Sequence, residues 1–314
     1  MKINEIFPRY VSGYKDYWPT LRNFGFTGLF LELKNRSQIW TLKNSKKLET
    51  RGPTKRTSIS DVPQYTEICA AAASNPAILS VFKTCFEYRL VLEHVTRSQA
   101  IEYLDFIKYD QKVLSTIKEV SSVEIGSPIV YPFKGLGKIS PTQIRYGKIL
   151  KDISSIFVDL HNLDIVEVGI GNGGLAAQIT NQFELNSYRL VDLSEVLDLT
   201  RHTLKPFIEQ TNFKFIAPSE VTVSATDLFI SNYAFSELHK DVQDFYFENY
   251  ILHTKSGFML YNHIHENPDI SYSAQEIANR IPGSLILKEN PLTYAGNVLL
   301  VWGVSPQADL TNFM

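Results

Sequence analysis

The chain has 314 residues, 31 Lys and Arg against 33 Asp and Glu, a net charge of −2, and 44% hydrophobic residues. That length holds one large domain or two ordinary ones, and the charge balance argues against a dedicated nucleic-acid binder, which carries a basic excess. Apolar runs stop short of the roughly 18 residues of a membrane span.

The N-terminal "MKINEIFPRYVSGYKDYW" is polar and aromatic and has no signal-peptide core. Cys69 and Cys85 lie in apolar helical patterns. They suit buried thiols in a reducing compartment better than a disulfide or metal framework, so the expected location is cytoplasmic. A basic, turn-rich stretch, "KNSKKLETRGPTKR" at 43–56, reads as a solvated loop or as a mobile segment attracting an acidic substrate. Residues 1–124 read as a mainly helical N-terminal domain. "PQYTEICAAAASNPAILSVFKTCFEYRLVLEHV" repeats apolar residues at three and four spacing with a break at Asn75-Pro76, and "RSQAIEYLDFIKYDQKVLSTIKEV" continues the pattern.

Residues 125–140 are rich in Gly and Pro and read as a connector. Ser140-Pro141 then marks a helix start, an N-cap followed by proline at the first helical position. From there strands and helices alternate. Strands are expected at 164–168, 188–192, 213–217, 226–231 and 257–263, with helices at 173–183, 194–209, 241–253 and 273–280. Such alternation predicts an α/β, Rossmann-like, mostly parallel sheet with helices on both faces. The last two strands, near 284–288 and 297–303, leave no room for a helix between them and are expected as an antiparallel hairpin at one edge. The second domain therefore spans 125–314.

"DIVEVGIGNGGLAAQI" at 164–179 ends a strand in glycines and opens a helix. Glycine there lets backbone approach a ligand, and the helix presents free N–H groups. Gly169, Gly171 and Gly174 satisfy the dinucleotide fingerprint, and Asp192 closes the next strand where a carboxylate can accept both ribose hydroxyls. These two features mean an adenosine cofactor and do not separate NAD from S-adenosylmethionine. Three others do. Glu167 precedes the first glycine by two residues, and a buried acid there opposes a pyrophosphate but suits an ammonium and a sulfonium. The predicted edge hairpin belongs to the class I methyltransferase sheet. "DLFISNYAFSEL" at 227–238 brings polar and aromatic side chains to the carboxyl end of a strand, where open sheets bind ligands.

In this order, "ISPTQIRYGKI", "VEVGIGNGG", "VDLSEVLDL" and "DLFISNYAFSEL" resemble the sugar O-methyltransferase family within the class I S-adenosylmethionine-dependent methyltransferases, over roughly residues 125–265. The family more usually carries an aromatic where Asn172 stands. The resemblance implies S-adenosyl-L-methionine as cofactor and S-adenosyl-L-homocysteine as product, with methyl transfer to a hydroxyl of a sugar or another small metabolite. By it, Glu167, Gly169, Gly171 and Gly173 surround the methionine part and Asp192 holds the ribose. Arg145 on the lead-in helix can pair bidentately with the methionine carboxylate, or be a surface arginine. Leu193 and Ser194, with Ala217, Pro218 and Ser219, can border the adenine.

A sugar hydroxyl has a high pKa and needs a base as the C–O bond forms. His263, His239 and Glu237 are the candidates, with His265 on the face of His263. Asn232 and Tyr233 stand where acceptor and methyl should meet; Tyr233 can face the sulfonium or pack beneath the cofactor. Asp227, Glu237, His263, His265 and Glu266 supply metal-ligand types but no metal spacing, so a divalent metal is not favoured. The alternatives are a NAD-type oxidoreductase and a non-catalytic partner subunit of the same fold. The expected partner is a small-molecule or saccharide acceptor, with no nucleic acid and no membrane span, and a homodimer is compatible with the sequence.

Overall fold

A computed structural model describes residues 63–262 and 270–313. The basic stretch at 43–56 and the candidates His263, His265 and Glu266 lie outside the described residues. Five helices come first: α1 Pro63–Ser74, α2 Pro76–Leu79, α3 Phe86–Val91, α4 Arg97–Ile107 and α5 Gln111–Ser122. Their breaks are written in cap chemistry. The Asn75 side chain accepts the Ala77 N–H at 2.9 Å with Pro76 at the start of α2, Thr96 and Gln99 form a capping box at α4, and Asp110 accepts the Val113 N–H at α5. Among the described residues, no helix is long and apolar enough to cross a membrane.

Part of the expected connector is a hairpin. β1, Tyr131–Phe133, pairs antiparallel with β2, Gly137–Ile139, across a turn whose Gly135 and Gly137 take φ of +80° and +87°. Strands this short leave too little alternation to be read from sequence. α6, Pro141–Phe157, starts as expected: the Ser140 hydroxyl accepts the Gln143 N–H at 3.3 Å. It is buried along most of its length between α4 and α5 on one side and α7, Gly174–Gln182, on the other. Gly147 makes the close approach to α5, since a Cβ there would stand 2.3 Å from Ile117 Cδ1.

The remaining strands are β3 Asp164–Val168, β4 Ser187–Val191, β5 Phe213–Ile216, β6 Thr226–Asn232, β7 Thr254–Tyr261, β8 Leu285–Lys288 and β9 Val298–Trp302. They form one seven-stranded sheet in the order β5-β4-β3-β6-β7-β9-β8. The first five are parallel, and β9 is inserted antiparallel between β7 and β8. This is the mostly parallel sheet with an antiparallel edge pair that the sequence predicts. α8, Ser194–Thr203, ends earlier than the 194–209 expected because Pro206 follows in a 3₁₀ turn. α10, Lys240–Asn249, likewise gives way to a 3₁₀ turn at Ile251–His253, and β7 begins three residues before its expected start at 257. α9 is the short Ala234–Glu237 and α11 is Ala274–Ala278. Apolar side chains pack in two large clusters, one containing α6 and α7 residues and the other α10 and α11 residues. A third joins α1 and α3 to Val196 and Leu199 of α8.

Candidate active site

Strand order reverses between β3 and β6, so the crevice at their carboxyl ends is where an open α/β sheet binds its ligand. The glycine loop lies there. Gly169, Gly171 and Gly173 take φ of +79°, +55° and +72°, conformations that disfavour a side chain. Space is also absent at the first of them: a Cβ on Gly169 would sit 2.0 Å from Ala234 Cβ, so the loop rests directly on the start of α9. α8 fixes the loop's carbonyls, with Thr200 Oγ1 donating to Gly171 O at 2.7 Å and Thr203 Oγ1 to Asn172 O at 2.6 Å. Asn172, where the resembling family favours an aromatic, is buried, and its carboxamide oxygen accepts the Gly174 N–H at 3.0 Å. It therefore caps α7, a helix whose N-cap Gly173 has no side chain for the task.

Asp192 follows β4. Its Oδ2 accepts the Gly171 N–H at 3.0 Å and its Oδ1 the Leu193 N–H at 2.8 Å. The carboxylate is thus tied to the glycine loop and half-buried, and an ionised carboxylate has about four acceptor positions. α1 flanks it. Burial first, with Asp192 among the charges behind it, holds the Tyr65 phenol and the Cys69 thiol well above their usual values, so both are uncharged beside the acid. Leu193 packs against the α1–α3 cluster, and Ala217 and Pro218 are half-buried after β5 while Ser219 is exposed.

Glu167 is 2% exposed on β3. The Tyr188 hydroxyl donates to its Oε2 at 2.7 Å and Asn232 Nδ2 approaches Oε1 at 3.4 Å across the strand-order reversal. Burial raises its pKa to about 8, with Asp192 adding to the rise and the two hydrogen bonds opposing it. Asn232 Oδ1 is buried without a hydrogen-bond partner.

Arg145 is not a surface arginine. It is 6% exposed on α6, its guanidinium 5.7 Å from the Tyr146 ring and 6.0 Å from the Tyr233 ring. Its Nε has no hydrogen-bond partner, and among the described residues no carboxylate lies within ion-pair distance of it. A buried guanidinium with an unsatisfied Nε and no ion pair is costly, and an anionic ligand would satisfy it.

Tyr233 has φ +66° and ψ −30°, a strained backbone for an aromatic residue. It is held by its N–H to Leu260 O at 2.9 Å and by Ser236 Oγ donating to its carbonyl at 2.6 Å. Its hydroxyl donates to Glu289 in the loop after β8. Glu289, Thr293 and Tyr103 of α4 carry no sequence signal of function, yet they complete this end of the crevice. Thr293 Oγ1 donates to Glu289 Oε1 at 2.5 Å and shares a hydrogen bond with the Tyr103 hydroxyl at 2.9 Å. His94, on the turn after α3, keeps accessible surface although protein lies on nearly every side, and it stands near enough to Arg145 to feel its charge. Burial and then Arg145 lower its pKa to about 4, against a backbone hydrogen bond at Val91, and it is neutral at pH 7.

Glu237 accepts from Asn262 Nδ2 at 2.7 Å, beyond the end of β7, and His239 is the half-buried residue that precedes α10. Asp227 is at the other end of the molecule's business: it lies at the amino end of β6, accepts the Asp164 N–H and pairs with Lys255 at 2.7 Å. It cannot join Glu237 in one metal site, because the length of β6 separates them. Among the described residues, no group of three or more His, Cys, Asp or Glu is placed to hold a metal ion.

No family model matches the chain, and no curated protein matches it. Several solved structures are similar to it in fold. An Aquifex aeolicus S-adenosylmethionine-dependent methyltransferase has 13% identity and a TM-score of 0.35, with 50% of this chain and 87% of that one covered. The methyltransferase domain of bacterial CtHen1 has 17% identity and a TM-score of 0.37, with 50% and 96% covered. The pyocyanin biosynthetic protein PhzM has 11% identity and a TM-score of 0.40, with 69% and 70% covered. These are likenesses of fold alone, and function has to be read from the residues of this chain.

Proposed function

We propose that the protein is an S-adenosylmethionine-dependent O-methyltransferase acting on a sugar or another small hydroxylated metabolite. The observation that carries the reading is Glu167, a buried carboxyl beneath the glycine loop with no cation paired to it among the described residues. Ionising that carboxyl would be opposed by a pyrophosphate and is favoured by a ligand bearing ammonium and sulfonium charge, so the site suits the second ligand. The other residues fit the same ligand. The partnerless Arg145 Nε suits a methionine carboxylate, the partnerless Asn232 Oδ1 suits a donor on the amino-acid part, and Asp192 suits ribose hydroxyls.

The bound cofactor supplies an activated methyl group, so the protein's work is alignment and exclusion of water. Gly169 and Gly171 shape the floor, Leu92 lies against Gly171 and the α1 and α4 side chains wall the crevice. The acceptor side offers Tyr233, Thr293 and Glu289, with Leu292 53% and Tyr294 66% exposed beside them. Hydroxyl-binding groups next to an exposed aromatic rim suit a polyhydroxylated ring, whose edge hydrogen-bonds and whose face stacks. The N-terminal helices would in this reading select the acceptor, with Glu237 and His239 on the same side as Tyr233.

Asp192→Ala tests the cofactor half. Loss of the ribose acceptor should weaken S-adenosylhomocysteine binding by about 1.5–3 kcal/mol, the scale of hydrogen bonds to a charged group. Isothermal calorimetry reads this directly, alongside circular dichroism of the variant. Unchanged affinity in a folded variant would remove Asp192 from the site.

A further inference from the structure

Glu289 is a buried carboxylate, 6% exposed, and among the described residues no cation lies within ion-pair distance of it. Of the two buried cations on α6, Lys148 is closed on Asp152 at 2.5 Å and Arg145 stands over the Tyr233 ring, 6.0 Å from its centroid. Glu289 instead collects hydroxyl and amide donors: Tyr233 Oη, Thr293 Oγ1 and the Thr293 N–H at 3.1 Å. Tyr103 feeds the same cluster through Thr293. A carboxyl buried on three donors and no direct ion pair is expensive to hold in place.

Its position gives it a use. β8 runs parallel to β6, so Glu289 and Tyr233 both stand at the carboxyl edge of the sheet. Tyr233 follows Asn232, which reaches Glu167, and its strained backbone turns the phenol toward Glu289. Because Tyr233 Oη donates its proton to Glu289, the phenolic oxygen keeps its lone pairs for a donor arriving from the crevice.

We propose, resting on the methyltransferase reading, that Tyr233 Oη receives the acceptor's hydroxyl proton and that Glu289 is the positioning residue that polarises it. As the acceptor oxygen bonds to the methyl carbon, the S–CH3 bond breaks and its electron pair stays on sulfur. The acceptor proton moves to Tyr233 Oη while the Tyr233 proton moves to Glu289, so the products are methyl ether, neutral thioether and a protonated Glu289 that later returns its proton to water. Tyr233 is then the catalytic residue. Its phenol, held well above its usual pKa by burial first and Glu289 next, does not ionise in the resting protein and so acts only when both transfers are coupled.

An acceptor-independent probe exists in sinefungin, which carries an amine where the cofactor carries its sulfonium methyl. Its ammonium should donate to Tyr233 Oη, whereas S-adenosylhomocysteine has nothing at that place. Calorimetry of both ligands is therefore compared across wild type, Tyr233→Phe, Glu289→Gln and Glu289→Asp. The expected result is a loss of about tenfold or more in sinefungin affinity in Tyr233→Phe and Glu289→Gln, with partial recovery in Glu289→Asp. S-adenosylhomocysteine should stay within about twofold throughout, which also reports that each variant is folded. Parallel losses for the two ligands, or an unchanged sinefungin affinity, overturn the assignment of Tyr233 and Glu289. Failure of the wild type to bind either ligand would instead overturn the methyltransferase reading itself.

Discussion

Arg145→Met is expected to weaken S-adenosylhomocysteine binding by about 2–5 kcal/mol, the cost of truncating one partner of a buried charge pair. The same change should leave the ligand-free protein as stable or raise its Tm. The two effects have one cause. Arg145 is buried against Tyr146 and Tyr233 with no carboxylate to meet it among the described residues. Inside the fold its desolvation is opposed by the Tyr146 and Tyr233 rings and, at longer range, by Tyr103 and Glu93, with no direct ion pair until an anion arrives, and methionine fills similar volume without a buried charge. 5′-Methylthioadenosine, which lacks the amino-acid part, serves as control and should bind wild type and variant alike. Calorimetry with both ligands and a thermal melt of each protein read the result. Equal losses for both ligands, or a destabilised ligand-free variant with unchanged affinity, would show that Arg145 is a packing residue.

The second large effect is a pH dependence set by Glu167. In the ligand-free fold its pKa is raised to about 8 from an ordinary 4.5, so it is mostly protonated at neutral pH. The stability this protonation contributes is fully present below the unfolded value and is lost as pH rises through the folded one. A ligand ammonium reverses the preference, because it favours the charged carboxylate. Binding should then release a proton, and affinity for S-adenosylhomocysteine should climb by up to about tenfold per unit between about pH 6 and about pH 8, levelling off above. Glu167→Gln should remove the slope. Calorimetry in two buffers of different ionisation enthalpy counts the proton. A flat pH profile in the wild type would place the ammonium elsewhere.

The alternation of periodic segments was enough to read the sheet from the sequence, including the edge pair, because no helix fits between residues 288 and 298. Cap chemistry was equally plain at Asn75-Pro76 and Ser140-Pro141, where side chain and proline act locally. The hairpin at Tyr131–Ile139 was not visible, since three-residue strands leave no period to detect. The loop, Glu167 and Asp192 could be named because their chemistry sits beside the glycines in sequence. Glu289, Thr293 and Tyr103 could not. They come together with Tyr233 only through tertiary packing, and a lone Glu or Tyr in a helix or loop has no spacing that marks it. Arg145 was legible as a candidate, but burial without a carboxylate is a property of the fold.

If the protein is a methyltransferase as proposed, the glycine-loop crevice takes S-adenosylmethionine rather than a dinucleotide. Equilibrium calorimetry of the full chain with S-adenosylhomocysteine and with NAD decides it. Micromolar binding of S-adenosylhomocysteine, about −8 kcal/mol, with NAD far weaker or silent, is the predicted result. NAD binding as tight as S-adenosylhomocysteine, or tighter, would contradict it.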